Sequence, residues 1–311
     1  MTKILITGGT GFVGSNLVRR LAKSNNEIHL LTKKSSNFWR IKDIKKEMNI
    51  HKVDLCEKEK LKKIINKIKP EIIFHIAAYG VQHSENNMSK ILESNIIGTF
   101  NLFSVLSNQN IKRIINVGSV FEYGESNKKN LSEIDCLRPS SFYEITKNTQ
   151  TNMANYFFKF RSLPITTLRL FTPYGRFEKK GRLITDIMLS IINKKELKIT
   201  SPKVARDFIF IDDVIDVMIK ASKISNINGE TFNIGFGKPH SVENIIKISE
   251  KISNQKIQTT IVNRVDKKSK RNGYANINKA KKILNWKPKY SIEKGLKKSY
   301  GWYEKNISYY Q

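Results

Sequence analysis

Apolar and polar positions recur along this chain in a regular rhythm. Residues 3–7, KILIT, form a short apolar run that ends in the glycine cluster GGTGFVG, and the following SNLVRRLAK sets Leu17, Val18 and Leu21 at helical spacing. Strand, glycine turn and helix are the elements predicted. The pattern returns as EIHLL, a connection, HKVDL, the amphipathic KEKLKKIINKI, EIIFHIA, a long mixed stretch and IKRIINVGS. Strand-length apolar runs alternating with helix-period segments specify a parallel sheet covered by helices on both faces. The expected fold class is therefore α/β, a doubly wound parallel sheet. After SLPITTLRLF the rhythm loosens into shorter elements, a few prolines and an irregular region around residues 255–275. A large domain over residues 1–171 and a smaller C-terminal α+β lobe over 172–311 are expected, with segments around 206–235 able to return to the first domain.

Composition narrows the class. The 311 residues include 39% hydrophobic ones, and no apolar run approaches the length of about 18 residues that crosses a bilayer. The opening MTKILITGGTGF is too interrupted by glycine for a signal-peptide core, so a cytoplasmic protein is expected. Two cysteines, Cys56 and Cys136, lack CxxC spacing, and the five histidines are scattered, so neither a disulfide framework nor a metal site is expected. The formal charge of +29 raises nucleic acid, an anionic membrane or an anionic small molecule as partners. Its lysines are spread along the chain, as in KKEMNIHK, EKEKLKKIINKIK and NKAKKILNWKPK, which suits solvated helix faces. No specific nucleic-acid or membrane partner is expected.

The glycine cluster carries the first chemistry. Gly8, Gly11 and Gly14 follow a predicted strand and open a predicted helix, the context of a dinucleotide (Rossmann) fingerprint. One glycine permits the tight turn, another lets backbone approach a pyrophosphate, and the last lets helix and strand pack closely. Phe12 and Val13 begin the helix, whose N-terminus stabilises phosphate charge.

Further motifs stand in order behind it. TGGTGFVG, VDL after the third strand, HIAA after the fourth, ESNIIGTFNL, NVGSVFEYG, YEITK, LRLFTPYG, ARDFIFIDDV and NKAKKILNWKP together resemble the extended short-chain dehydrogenase/reductases over nearly the entire chain. The resemblance implies an NAD(P)-dependent enzyme whose first domain binds the cofactor and whose second binds a nucleotide sugar. It places Asp54 and Leu55 by the adenine, Ala77 and Ala78 along the cofactor, and Asn95 beneath the active-site helix. A homodimer paired through the helices around ESNIIGTFNL and YEITK is also implied.

In FYEITK, Tyr143 and Lys147 share a helix face because they are four residues apart. Bringing a tyrosine of pKa about 10 toward neutrality by about three units takes roughly 4 kcal/mol of selective phenolate stabilisation. A neighbouring ammonium and the positive ring of the cofactor can supply it in a desolvated cleft. In the family resembled, the tyrosine exchanges a proton with the reacting carbinol or carbonyl, and the lysine also holds the nicotinamide ribose. Ser119, in IINVGSVFEYG, stands at the end of the preceding strand, where a hydroxyl can orient substrate and tyrosine. By itself it also reads as a helix or turn cap.

The reaction class follows from what stands beside Ser119. Sugar dehydratases and decarboxylases of this family carry an acid just after the catalytic Ser or Thr. Here Val120 and Phe121 have no titratable group, and Glu122 is displaced by one position, which disfavours both reactions. In the second lobe Arg206 is the candidate diphosphate ligand, because a guanidinium fork can bond two phosphate oxygens. Arg264 and Arg271 are candidates too, with plain surface charge as their alternative. The loop AAYGVQHSENN with Ser84, RPSSFY, and LFTPYGRFE with Thr172 where an asparagine is common are expected to shape the sugar pocket. The combination looks closest to the CDP-abequose synthase-like 4-ketoreductase and 4-epimerase branches of polysaccharide biosynthesis. Hydride transfer at sugar C4 is expected, as a 4-keto-6-deoxyhexose reductase or, alternatively, as a 4-epimerase. A small carbonyl substrate fits the arginines poorly, and a non-catalytic nucleic-acid-binding role would have been favoured by loss of Tyr143 or Lys147.

The end of the second strand bears on the cofactor. EIHLL runs into Thr32, Lys33, Lys34, Ser35 and Ser36, with no acid to repel a 2′-phosphate. NADP is therefore preferred over NAD, with two merely solvated lysines as the alternative reading.

Overall fold

The computed structural model describes residues 1–81, 85–126, 128–262 and 273–311. Seven strands form the main parallel sheet: β1 (Thr2–Thr7), β2 (Asn26–Thr32), β3 (Asn49–Lys52), β4 (Ile72–His75), β5 (Arg113–Ser119), β6 (Ile165–Leu170) and β7 (Thr231–Ile234). Their spatial order is β7-β6-β5-β4-β1-β2-β3. Every residue of β5 and of β6 is buried, as strands covered on both faces must be. Register brings Ile4 opposite Ile28 on one side and Ile72 on the other. The chain leaves β3 at one edge and re-enters the sheet on the far side of β1. That reversal opens a crevice beyond the carboxyl ends of β1 and β4, where open α/β sheets bind ligands.

The helices follow from the spacing of their apolar positions. α1 (Phe12–Leu21) buries Leu17, Val18 and Leu21. α2 (Lys58–Ile68) buries Leu61, Ile65 and Ile68 and stops at Lys69, which is left-handed with φ 52°. α3 (Met88–Leu92) continues through a π-helical turn, Glu93–Ile97, into α4 (Gly98–Leu106). α5 (Phe142–Arg161) opens on a reciprocal cap, in which the Ser141 hydroxyl accepts from the Glu144 N–H and the Glu144 carboxylate accepts from the Ser141 N–H. Leu5, Ile65, Ile73, Leu102, Phe103, Ile114 and Phe157 belong to one core cluster that joins sheet and helices. HKVDL is not strand throughout: β3 ends at Lys52, and Val53, Asp54 and Leu55 run past it, with the Val53 N–H on the Thr32 carbonyl at 2.9 Å.

The chain divides into two compact units. The first comprises Met1–Gly124, Asp135–Leu170 and Ile215–Phe232. The second comprises Glu125–Ile134, Phe171–Val214 and Asn233–Gln311. In the second, short strands pair as Thr172–Tyr174 with Phe208–Phe210, Ala205–Arg206 with His240–Ser241, and Asn130–Leu131 with Tyr274–Ala275. Helices Leu183–Asn193, Val242–Ser253 and Ile292–Lys305 accompany them. Tyr303 shares a hydrogen bond with Thr185 at 2.8 Å and donates to the Gly175 carbonyl at 3.2 Å, which ties the C-terminal helix into this unit. Among the described residues no helix is long and apolar enough to cross a membrane.

Leu102 is fully buried in the first unit's core, whereas Ile134 is 95% exposed. Leu102→Ala is expected to cost about 2–5 kcal/mol of unfolding free energy in urea, while Ile134→Ala stays within about 0.5 kcal/mol.

Candidate active site

The glycine loop lies beyond the end of β1. A Cβ placed on Gly14 would sit 2.1 Å from the Gly8 carbonyl oxygen, so only glycine lets α1 start this close to the strand. Gly11 caps the helix without a side-chain bond, and its own N–H turns back to the Gly8 carbonyl at 3.0 Å. Phe12, Val13 and Gly14 thus form a first helical turn whose positive dipole end faces the loop. These residues fit a dinucleotide pyrophosphate.

On the other side of the crevice, a polar thread fixes the backbone after β4. The Thr7 hydroxyl accepts from the Ile76 and Ala77 N–H groups, both at 3.2 Å, and bonds His75 Nδ1 at 2.8 Å. His75 Nε2 bonds the Thr99 hydroxyl at 2.9 Å, and that hydroxyl donates to the Asn95 carbonyl at 2.7 Å. Because the Thr99 proton is committed to Asn95, Nε2 must be the donor and Nδ1 the acceptor. Burial first, and the Lys147 charge second, push His75 down to about 3, so it is neutral. Asn95 closes the loop from the π turn: its amide accepts from the Tyr79 N–H at 2.8 Å and donates to the Tyr79 carbonyl and to the Thr146 hydroxyl of α5. Ala77 and Ala78 lie between these two anchors. The π turn carries no simple sequence signal, although such turns gather at functional sites.

At the far end of the crevice Lys33 meets Asp54 at 3.2 Å. Burial works against the Asp54 charge, but the Cys56 N–H and Lys33 outweigh it and hold the carboxyl below its ordinary range. The Leu55 carbonyl accepts from the Asn101 amide at 3.0 Å, and Thr32 is buried with its hydroxyl toward the His51 carbonyl. Lys34 is exposed. One residue that the sequence reading passed over stands here: the Arg40 guanidinium lies 4.4 Å over the Trp39 ring and reaches the Thr10 carbonyl of the glycine loop at 3.4 Å. Its signal was the adjacent Trp–Arg pair in a segment read only as a connection.

Ser119, Tyr143 and Lys147 all belong to the first unit, Ser119 at the end of β5 and the others on buried positions of α5. The Ser119 hydroxyl caps a short 3-10 turn by accepting from the Phe121 N–H at 3.2 Å, so the cap reading and the site reading fall on one residue. Phe121 meets the Tyr143 ring edge to face at 6.3 Å. Lys147 is 2% exposed, and its ammonium donates to the Val117 carbonyl at 2.6 Å and to the Gln150 side-chain oxygen. The Gln150 amide continues to Asn116 at 2.9 Å, and Asn116 to Thr167 at 3.1 Å. Burial lowers Lys147 to about 8, against a raising influence from Glu122. Glu122 itself is fully enclosed: its carboxylate accepts from the Ser119 N–H at 2.7 Å, the Thr151 hydroxyl at 2.9 Å, and Arg169 Nε and Nη2 at 3.1 and 3.0 Å.

Thr172 and Arg206 belong to the second unit. The Thr172 N–H bonds the Asp207 carbonyl at 3.0 Å, and Arg206 pairs across strands with His240. Asp207 gathers the N–H groups of Phe236, Gly237 and Ala275, although burial pushes its carboxyl up to about 6. Ser84, Arg264 and Arg271 lie outside the described residues.

A twisted parallel sheet, a glycine loop after β1 and a Tyr-x-x-x-Lys helix beside a strand-end serine define a nucleotide-dependent oxidoreductase class. Residues 4–235 match the NAD dependent epimerase/dehydratase family. The chain is 30% identical to a UDP-glucuronate 4-epimerase of Thermodesulfobacterium geofontis, over 97% of this chain and 96% of that protein. It superposes on the UDP-glucuronic acid 4-epimerase of Bacillus cereus, solved with a fluorinated UDP-glucuronic acid and NAD. The TM-score is 0.90, with 26% identity over 98% of this chain and 100% of that one. The UDP-glucose 4-epimerase of Thermotoga maritima, solved with UDP-glucose, matches with a TM-score of 0.88, 26% identity and 98% and 99% coverage. The protein is an enzyme of the NAD-dependent epimerase/dehydratase family, within the extended short-chain dehydrogenase/reductases.

His75 gives a pH signature. A histidine held near 3 in the fold, against 6.5 ordinarily, contributes stability that is complete above about pH 6.5 and is lost as pH falls toward 3. Urea denaturation at pH 7 and at pH 4.5 is expected to show a smaller loss of stability for His75→Gln than for the wild type.

Proposed function

We propose that the protein is a nucleotide-sugar 4-epimerase acting on a UDP-linked hexose or hexuronic acid with a retained NAD. The observation that carries this reading is the enclosure of Glu122. Both of its oxygens are engaged by Ser119, Thr151 and Arg169, and Val120 and Phe121 carry no titratable group, so the loop after Ser119 offers no acid to expel a hydroxyl from the sugar. That supports chemistry confined to C4. Between the two C4 reactions weighed from sequence, epimerisation is favoured over net reduction by the 4-epimerases among the relatives.

The residues divide the work. When bound, NAD takes up the C4 hydride and returns it. Tyr143 accepts the proton of the C4 hydroxyl and returns it to the C4 oxygen once the keto sugar has turned to take hydride on its other face, so one residue serves both half-reactions. Ser119 hydrogen-bonds the reacting oxygen. Lys147 holds the nicotinamide ribose and favours the Tyr143 phenolate through its charge. Gly11, Phe12, Val13 and Gly14 take the pyrophosphate, Asp54 and Leu55 the adenosine end, and Thr172 and Arg206 the sugar and diphosphate.

NAD is favoured over the NADP expected from Lys33 and Lys34 because Lys33 is already paired with Asp54, which removes part of the charge that would attract a 2′-phosphate. We also infer a homodimer. Ile97 and Phe100 on the π–α4 segment and Ile145, Tyr156 and Phe160 along one side of α5 are exposed, and an apolar stripe of this kind suits a second copy.

Purified protein incubated with UDP-glucuronate and with UDP-glucose is expected to form the C4 epimer of at least one, without added cofactor, as read by chromatography. Tyr143→Phe should lower kcat by about 10²–10⁴-fold with the amount of bound nucleotide unchanged. Recovery of NADP from the protein, with reduction of a 4-keto sugar and no epimer, would return the assignment to a reductase. A monomer in sedimentation at micromolar concentration would remove the dimer.

A further inference from the structure

Glu122 is the acid of the SVFEYG stretch that the C4 chemistry leaves without a part. Its surroundings give it one. Four donors converge on its two oxygens: the Ser119 N–H at 2.7 Å on Oε1, and the Thr151 hydroxyl at 2.9 Å with Arg169 Nε and Nη2 at 3.1 and 3.0 Å on Oε2. Gly118 makes the approach possible, since a Cβ there would lie 2.6 Å from Oε1.

Lys147 sits on the same helix as Thr151, and its ammonium bonds the Val117 carbonyl, two residues before Ser119 on β5, and the Gln150 amide oxygen. Both acceptors are neutral. Among the ionisable groups on neighbouring elements, Tyr143 and Glu144 lie on its own helix, Tyr123 follows β5, Arg169 is on β6 and His75 on β4. Glu93 of the π turn and Lys90 of α3 are exposed. Glu144 is taken up by the N–H groups of Ser140 and Ser141, Tyr123 by Arg169, and His75 is neutral. Glu122 is the carboxylate in contact with the buried Arg169, and it bonds the end of the same strand whose Val117 carbonyl holds Lys147. Burial lowers Lys147 to about 8, and the Glu122 charge opposes that shift.

We propose that Glu122 is the positioning residue of this site: its carboxylate, anchored by Arg169, aims Ser119 through the backbone N–H and sets its charge beside the strand end that holds the Lys147 ammonium. This rests on the roles assigned above to Ser119, Tyr143 and Lys147.

Two variants separate charge from reach. E122Q keeps an oxygen for the Ser119 N–H but removes the charge, and E122D keeps the charge but draws it back by one methylene. A basic limb of the kcat profile set by Lys147 is expected to move down by about one pH unit in E122Q and to stay in place in E122D. E122D is expected to lose about 10²-fold in kcat because Ser119 is no longer held. NADH binding to protein first freed of its retained nucleotide, followed by energy transfer from tryptophan between pH 6 and 10, should show the same displacement of its basic limb in E122Q. Thr151→Val, which removes one hydrogen bond to Glu122 but no charge, should leave both limbs unmoved. The proposal is overturned if E122Q keeps the wild-type limb in NADH binding, or if folded E122D turns over at the wild-type rate; should E122Q fail to fold, E122D decides. If no UDP-sugar is turned over by the wild type, the epimerase reading fails, while the NADH limb still decides the part played by Glu122.

Discussion

A buried ion pair holds the working end of the sheet together. Glu122 follows β5 and Arg169 lies on β6, both nearly inaccessible to water, and their contact at 3.0 Å also takes in Thr151 of α5. Removing one partner of such a pair strands the other charge in a medium that cannot solvate it, at a cost of about 3–5 kcal/mol. The pair therefore constrains three elements at once. The strand end that carries Ser119, the helix that carries Tyr143 and Lys147, and the strand beside them are kept in one register. Arg169 adds the Tyr123 hydroxyl at 2.9 Å and lies 4.7 Å over the Tyr123 ring, so the turn after Ser119 is fixed from both sides.

The sheet end at β1 and β4 is fixed by neutral groups instead. Thr7, His75, Thr99 and Asn95 form a hydrogen-bonded thread from the end of β1 through β4 into the π turn, and Asn95 hands it on to Thr146 of α5. Every donor along it has an acceptor, and this suits a buried polar chain, since an unpaired member would cost its full desolvation. Ala77 and Ala78, placed between Thr7 and Asn95, have little freedom to shift. The two networks differ in kind because their tasks differ. A neutral thread can shape a groove without disturbing a charged dinucleotide, whereas a buried ammonium needs an anion somewhere within reach.

Much of this was legible in the letters, and the parts that were not share a cause. The glycine turn and the sheet class show in the sequence because each is written in local spacing: Gly8, Gly11 and Gly14 after an apolar run, and then strand-length runs alternating with helical periods. Tyr143 and Lys147 read as neighbours because a helix brings i and i+4 together. The partnership of Glu122 with Arg169 spans 47 residues and has no period, so the acid could be judged only by its displacement from a motif. Arg40 reaches Thr10 across 30 residues for the same reason. The end of β3 at Lys52 was hidden because Val53 and Leu55 continue the apolar alternation after the ladder has stopped. Arg264, Arg271 and Ser84 stay outside the described residues, and their parts remain those the resemblance implies.

Reversible chemistry at one carbon places a particular demand on such a site. In epimerisation the base of the first half-reaction is the acid of the second, so the proton carrier must not be strongly biased toward either form. A lysine of ordinary pKa in water would be too well solvated to influence a tyrosine four residues away, and a fully desolvated one would surrender its proton. Lys147 lies between these limits, lowered to about 8 by burial and supported by Glu122. The same carboxylate is engaged by Arg169 at 3.0 Å. An anion so placed can bias a proton equilibrium without taking or giving a proton itself.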